Sequence, residues 1–410
     1  MNLKNEQKNK AIVGISTKNE RISIPLSEIS CMLVTGITGS GKTVALRSLI
    51  VSLLATTKPD ELKFLIVDAY KTEYLAYSDM PFMMKDPIVD DEETIETLKD
   101  ICDEIDRRLK VMADKRYRNV DKFNQDIESK ELEGEEKMPH IVIVFDDFAD
   151  LINQYKESKE LLKKIATKGN MSGIHLILST QFAIKDTIDE IKDCVDTNIT
   201  LRMTTPIQSE MVMGKKGAEK LQNFGDFYFS HKGSEVERGQ APYIDDEELK
   251  SIFKYIKKPD SQNKIPNEPK SIFKKLFKGK NNDVEQDTEY RFPLTLFKEY
   301  KELIDEKESK AEAYAKEMQQ SLKDVFLQRD DIKFKLSDKL ISKNAVTYLY
   351  ELQSKPLKTP NIKELEYKLE QALDKPVELR LSGRILEVIV PLPKEYRIPI
   401  NVKTMIKEVF

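Results

Sequence analysis

Cysteine and histidine are scarce in this chain of 410 residues, with three of each. Cys31, Cys102 and Cys194 lie far apart and form no CxxC pair, and His140, His175 and His231 are equally dispersed. That spacing excludes a disulfide framework and a structural zinc site. It reads the cysteines as small buried apolar side chains in a reducing compartment, the cytoplasm. No run approaches the roughly 20 apolar residues needed to span a bilayer. The expectation is therefore a soluble chain with no intrinsic membrane span, held at a membrane only by a partner. The first ten residues, MNLKNEQKNK, are polar and carry no apolar core of an export signal. An excess of one charge is missing too, because 67 Lys and Arg face 71 Asp and Glu, a net charge of −4. The whole-chain balance does not announce a nucleic-acid binder, although a local patch can do that work.

What is present fits a soluble globular protein of two or three domains, with 34% charged and 40% hydrophobic residues. Residues 11–36 read as short strands and turns that lead into a buried strand, Cys31-Met32-Leu33-Val34. A glycine-rich turn follows, then an apolar helix from Thr43 to about Leu54. Further strands are expected at 64–67, 141–145, 175–178, 199–203 and 227–229, with helices at 92–115, 158–168 and 185–194. Near-continuous β-branched runs alternating with helices predict an α/β fold whose mostly parallel sheet is covered on both faces.

The strongest motif is Gly36-Ile37-Thr38-Gly39-Ser40-Gly41-Lys42-Thr43, which fits G-x-x-x-x-G-K-[ST] at every fixed position. Its glycines let backbone N–H groups turn inward around phosphates. Lys42 would reach the β- and γ-phosphates, and the Thr43 hydroxyl would bind Mg2+. Val44 continues the first turn of the helix, whose N-terminus adds dipole and donors. The apolar strand Ile141–Phe145 ends in Asp146-Asp147, the pattern of a Walker B strand. Asp146 would orient the Mg2+ shell, and Asp147 would polarise the attacking water. Ser179-Thr180-Gln181 ends another strand at the same edge, where Gln181 can sense the γ-phosphate or orient water. Asp68, after the strand 64–67, either belongs to the site or caps a turn.

These residues resemble the motor domain of the FtsK/SpoIIIE family, a RecA-like P-loop ATPase. The resemblance runs through Val34–Leu46, Glu61–Asp68, Glu104–Arg108 with Arg118–Asn124, Asp146–Leu151, Gly173–Gln181 and Gly217–Leu221 followed by Gly225-Asp226. It covers roughly residues 11–250 in the family's order. It implies ATP and Mg2+ as cofactors, double-stranded DNA as partner, and a ring-shaped homo-hexamer. Departures stand beside it. Asp147 replaces the usual Glu, one methylene longer. Asn170 stands where an arginine usually reaches the neighbouring subunit's ATP, and Asn198 and Glu210 replace other arginines. Because such an arginine can contribute about 10³–10⁵ in rate, its loss implies slow turnover unless Lys163, Lys164, Lys168 or Arg202 substitutes.

Four segments are expected. Residues 1–253 form the motor. Residues 254–290 form a basic flexible linker, since 251–280 carry nine Lys against two acids. Residues 291–335 form a charged helical segment, whose alternating charges over 296–325 suit an exposed or partner-facing helix. Residues 336–410 form a small α+β unit, with strands at 345–352, 377–381 and 385–391 and a helix at 362–372. That last unit resembles the small domain that precedes the motor in the family, here permuted to follow it. The leading function is an ATP-driven double-stranded DNA translocase, serving a mobile element or plasmid. The alternatives are an ATPase energising protein secretion through a membrane partner, and a poorly hydrolysing nucleotide-binding assembly subunit.

Overall fold

The computed structural model describes residues 9–69, 73–181, 191–257, 301–327, 333–353 and 359–400, together with Val402 and Met405. Among these residues the first part of the chain builds one nine-stranded sheet. Its strands are β1 (Lys10–Ser16), β2 (Arg21–Pro25), β3 (Cys31–Thr35), β4 (Leu62–Asp68), β5 (His140–Asp146), β6 (Ile174–Thr180), β7 (Thr197–Leu201), β8 (Asp226–His231) and β9 (Glu237–Gln240), in the spatial order β2-β1-β9-β8-β7-β3-β6-β5-β4. The half from β7 to β4 is parallel and the half from β2 to β8 is antiparallel.

The parallel half follows from composition. Every residue of β3, β5 and β6 is buried, as runs such as His140-Ile-Val-Ile-Val-Phe demand when helices cover both faces. Helix α1 (Lys42–Thr56) covers one face with the helix Asp246–Ile256, and its apolar residues from Leu49 to Ala55 are all buried. Helices α2 (Asp91–Asp114), α4 (Ala149–Gln154) and α5 (Lys156–Lys168) cover the other face. Among them α3 (Val120–Glu128) joins a small satellite core. Caps set the helix starts: Asp90 accepts the N–H of Glu93, and Asp245 with Glu248 forms a reciprocal capping box. Of the helix expected at 185–194, residues 185–190 lie outside the described residues, and Lys192–Cys194 form one 3-10 turn. The linker expected from 254 begins inside the helix that ends at Ile256, and 258–300 lie outside the described residues.

The second unit is a four-stranded antiparallel sheet ordered β10 (Phe334–Ile341), β11 (Ala345–Leu352), β13 (Ile385–Pro391) and β12 (Glu378–Ser382). Two helices, Lys301–Leu327 and Thr359–Leu373, pack on it. The long charged helix, expected to be exposed or partner-facing, packs one face onto the sheet of its own unit. Ala311, Ala315, Met318, Leu322 and Phe326 recur at helical spacing, and all are buried against β11 and β13. Strand β10 follows that helix where no strand was expected, because no residue in it is fully buried and the apolar/polar alternation of FKLSDKLI breaks at Ser337-Asp338-Lys339.

At the edge where β5 and β6 begin, two buried histidines and a half-exposed aspartate form a hydrogen-bonded chain. His175 Nδ1 donates to the Ile29 carbonyl at 2.7 Å, His175 Nε2 meets His140 Nδ1 at 2.9 Å, and His140 Nε2 meets Asp121 Oδ1 at 3.0 Å. Burial and the neighbouring His140 push the His175 imidazole down to about 3. The hydrogen bond from His140 lowers the Asp121 carboxyl. An unfolded chain takes up the His175 proton near 6.5 and the folded chain only near 3. Proton uptake therefore favours unfolding as pH falls through that window. We expect the stability advantage of the wild type over His175→Gln, read from urea midpoints, to shrink between pH 6.5 and pH 3. A difference constant with pH would show that His175 is not held neutral.

Candidate nucleotide site

Strands β3, β6 and β5 end side by side, so the loops that follow them converge at one sheet edge. The loop Gly36–Thr43 is anchored to the strands on both sides of β3. The N–H of Gly36 donates to the Thr180 carbonyl at 3.3 Å, and that of Ile37 to the Arg202 carbonyl at 3.0 Å. Its middle is turned by Gly39 at φ 79°, where an added Cβ would meet nothing within 4 Å, so the loop tip faces open space. Gly41 sits at φ 99°, and a Cβ there would come within 2.5 Å of the Gly225 nitrogen. The Gly225 N–H donates to the Ser40 carbonyl at 2.7 Å. Glycine is thus required at 41 both by backbone conformation and by contact with a second backbone. Because Gly41 is also the residue before α1, no side chain caps the N–H groups of Lys42, Thr43 and Val44. These groups open the helix toward the loop.

Lys42 is buried and joins three elements. Its Nζ donates to Asp146 Oδ1 at 3.0 Å and to Ser179 Oγ at 2.8 Å, and Ser179 Oγ donates to the same Asp146 oxygen at 2.9 Å. Asp147 holds the left-handed backbone at φ 65° and is buried. Its Oδ1 accepts from Thr180 Oγ1 at 3.1 Å. A non-glycine residue in that region stores strain of about 1–3 kcal/mol, a pattern that concentrates at functional sites. Thr38 Oγ1 donates to Gln181 Oε1 at 2.8 Å, so the third strand end reaches the loop as well.

The structure thus brings Lys42, Asp146 and Gln181 against the loop Gly36–Thr43 and sets Asp147 beside Asp146. It adds Ser179 and Thr180, which the sequence offered only as neighbours of Gln181. Asp68 lies directly across from Asp146 in the β4–β5 register and is fully buried. Its Oδ2 accepts the N–H groups of Glu73 and Tyr74, each at 3.1 Å, so it does cap a turn. Its Oδ1, with Ser40 Oγ and Thr35 Oγ1, is buried without a hydrogen-bond partner among the described residues. Buried polar atoms demand partners, and this group fits a triphosphate and its cation. Among the described residues no cluster of His, Cys, Asp and Glu could hold a metal unaided. Asn170 lies in the turn before β6, at the opposite end of that strand from Thr180. Lys164 is tied to Asp106 at 2.8 Å. No helix among the described residues is long and apolar enough to cross a membrane.

Residues 3–184 match the family model described as FtsK/SpoIIIE family. A DNA translocase FtsK of Helicobacter pylori (strain J99) is 32% identical over 238 residues, covering 57% of this chain and 28% of that protein. One from Staphylococcus epidermidis is 30% identical over 259 residues, covering 62% and 32%. The chain therefore spans about a third of the length of these relatives. Among solved structures, the pCW3 conjugation coupling protein TcpA, a monomer form with ATPγS, aligns at TM-score 0.51 and 26% identity. That alignment covers 61% of this chain and 70% of that one. The cytoplasmic domain of the Thermomonospora curvata type VII secretion ATPase EccC aligns at TM-score 0.52 and 22% identity over 65% of this chain and 32% of that one, a likeness of fold.

Proposed function

We propose, for a chain whose motor segment belongs to the FtsK/SpoIIIE family, an ATPase that moves double-stranded DNA through a ring of like subunits. The observation that carries the reading is Lys42, whose ammonium group touches Asp146 and Ser179 at the mouth of a phosphate-type loop. Bound Mg·ATP supplies the phosphoryl group transferred to water and the cation that neutralises its charge. The backbone N–H groups of Gly36–Thr43 and Val44 would cradle the phosphates, with Lys42 as their cationic partner, and Thr43 and Asp146 would hold the cation. Asp147, pinned by Thr180, orients the attacking water, and Gln181, reached by Thr38, senses whether the outer phosphate is present. With Asn170 in place of an arginine, turnover is slow.

DNA is the partner that the relatives' name supports, and phosphate contacts by the ring's inner face would make binding sequence-tolerant and salt-sensitive. The test is steady-state ATPase with and without linear duplex DNA, with sizing of the nucleotide-bound particle. We expect several-fold stimulation that fades with salt, and a hexameric particle in Mg·ATP. Turnover that ignores DNA would move the reading to a secretion ATPase working through a membrane partner. Ring formation without turnover would make the chain an assembly subunit.

A further inference from the structure

The turn Asn223-Phe224-Gly225 touches the phosphate loop, and two of its residues, Asn223 and Phe224, lie outside the motifs discussed above. Its Gly225 N–H is bonded to the Ser40 carbonyl, and the Phe224 carbonyl carbon lies 3.0 Å from where a Gly41 Cβ would stand. Phe224 itself holds φ 69°, a conformation a bulky side chain adopts only when its surroundings impose it. Three contacts do so. Gln240 Nε2 donates to the Phe224 carbonyl at 2.7 Å, Arg397 Nη1 donates to the Asn223 carbonyl at 2.5 Å, and Lys394 Nζ sits 4.0 Å from the Phe224 ring centroid. Arg397 and Lys394 come from the C-terminal unit. So much constraint would ordinarily bury an aromatic ring, yet Phe224 is 55% exposed. Strain is being held to present a ring to solvent beside the loop that would seat phosphates.

We infer that Phe224 is a stacking platform for the base of the bound nucleotide, set in place from the C-terminal unit by Arg397 and Lys394. The inference rests on the nucleotide site proposed above and adds a contact to the base, which the phosphate loop does not make. Aromatic rings stack on any base, and each such contact changes affinity by roughly 5- to 100-fold. A cation on the ring adds attraction of the same order as an exposed cation–π pair. Because the turn is bonded to Ser40, a base on Phe224 and phosphates on the loop would be sensed by one rigid piece of backbone. That piece is held by the C-terminal unit.

The chain contains no tryptophan, so Phe224→Trp introduces a single indole at the platform. Mg·ATP is expected to quench its emission, and Mg·tripolyphosphate, which lacks a base, to leave it unchanged while still binding by calorimetry. In parallel, Phe224→Leu should bind Mg·ATP about ten-fold more weakly than wild type and tripolyphosphate equally well. Equal quenching by both ligands, no response to bound Mg·ATP, or wild-type ATP affinity in Phe224→Leu would each overturn the platform. A wild-type chain that binds neither ligand overturns the phosphate site itself, and the platform with it.

Discussion

Lys42→Ala should lower ATP turnover by about 10²–10³-fold, the usual effect of deleting one preorganised donor aimed at developing charge. The geometry makes the expected loss specific. Lys42 bonds to both Asp146 and Ser179, so its removal cuts the phosphate loop from both of those strand ends at once. It also leaves the buried Asp146 carboxylate with one remaining donor shown here, Ser179 Oγ. A buried charge stripped of its partner destabilises strongly, so activity must be read beside a thermal melt. Asp146→Asn in the same background should recover part of that stability without recovering turnover, because the neutral amide needs no counter-charge. Hydrolysis at the wild-type rate by a folded Lys42→Ala variant would remove the site from this loop altogether.

The chain order makes plain which parts of this site are legible in sequence. Gly36–Thr43 and Asp146-Asp147 each lie within a few consecutive residues, and their flanking strands are buried runs with no polar interruption. Strands β11 and β13 were likewise readable end to end, because Ala345–Leu352 and Ile385–Pro391 are dense in β-branched and aromatic residues. Strand β10 was not, since FKLSDKLI alternates weakly and is only half-buried. The helix Lys301–Leu327 misled for a related reason: its charges are continuous and its buried stripe is partly alanine, which reads as neutral. The contact of Gly225 with Ser40 joins residues far apart in the chain. Only the glycine in Asn-Phe-Gly-Asp hinted at it, and nothing local says which backbone that glycine must approach. Asp68 shows the limit from the other side, since one oxygen caps a turn while the second lies buried without a partner. The turn-cap reading of that aspartate is the one the hydrogen bonds carry.

The second large effect is expected far from the phosphate loop, where the two units meet. Asp226 and Arg238 are both buried and form a two-pronged pair, with Nε to Oδ1 at 3.0 Å and Nη2 to Oδ2 at 2.7 Å. Asn344, from the turn between β10 and β11, donates to the same Oδ1 at 3.0 Å. Glu378 of β12 accepts from Tyr228 at 2.8 Å and lies 3.6 Å from Arg238. Burial alone would lower the Arg238 guanidinium, but the charge and hydrogen bond of Asp226, joined by Tyr228 and Glu378, together raise it instead. For Glu378, burial raises the carboxyl, and Arg380 with Arg238 more than reverses that. Arg238 and Glu378 are therefore both held ionised by partners, and those partners come from both units. Arg238→Met should cost about 3–5 kcal/mol, because Asp226 stays buried without its counter-charge. The double variant Asp226→Leu with Arg238→Met should regain most of that loss, since apolar side chains of similar volume replace a buried pair at little cost. Urea unfolding of both variants reads this directly. Wild-type stability in Arg238→Met would mean that water reaches Asp226, and that the units are not locked through this pair. A split into two transitions in that variant, where the wild type shows one, would identify the pair as the element that makes the first unit and the C-terminal unit unfold together.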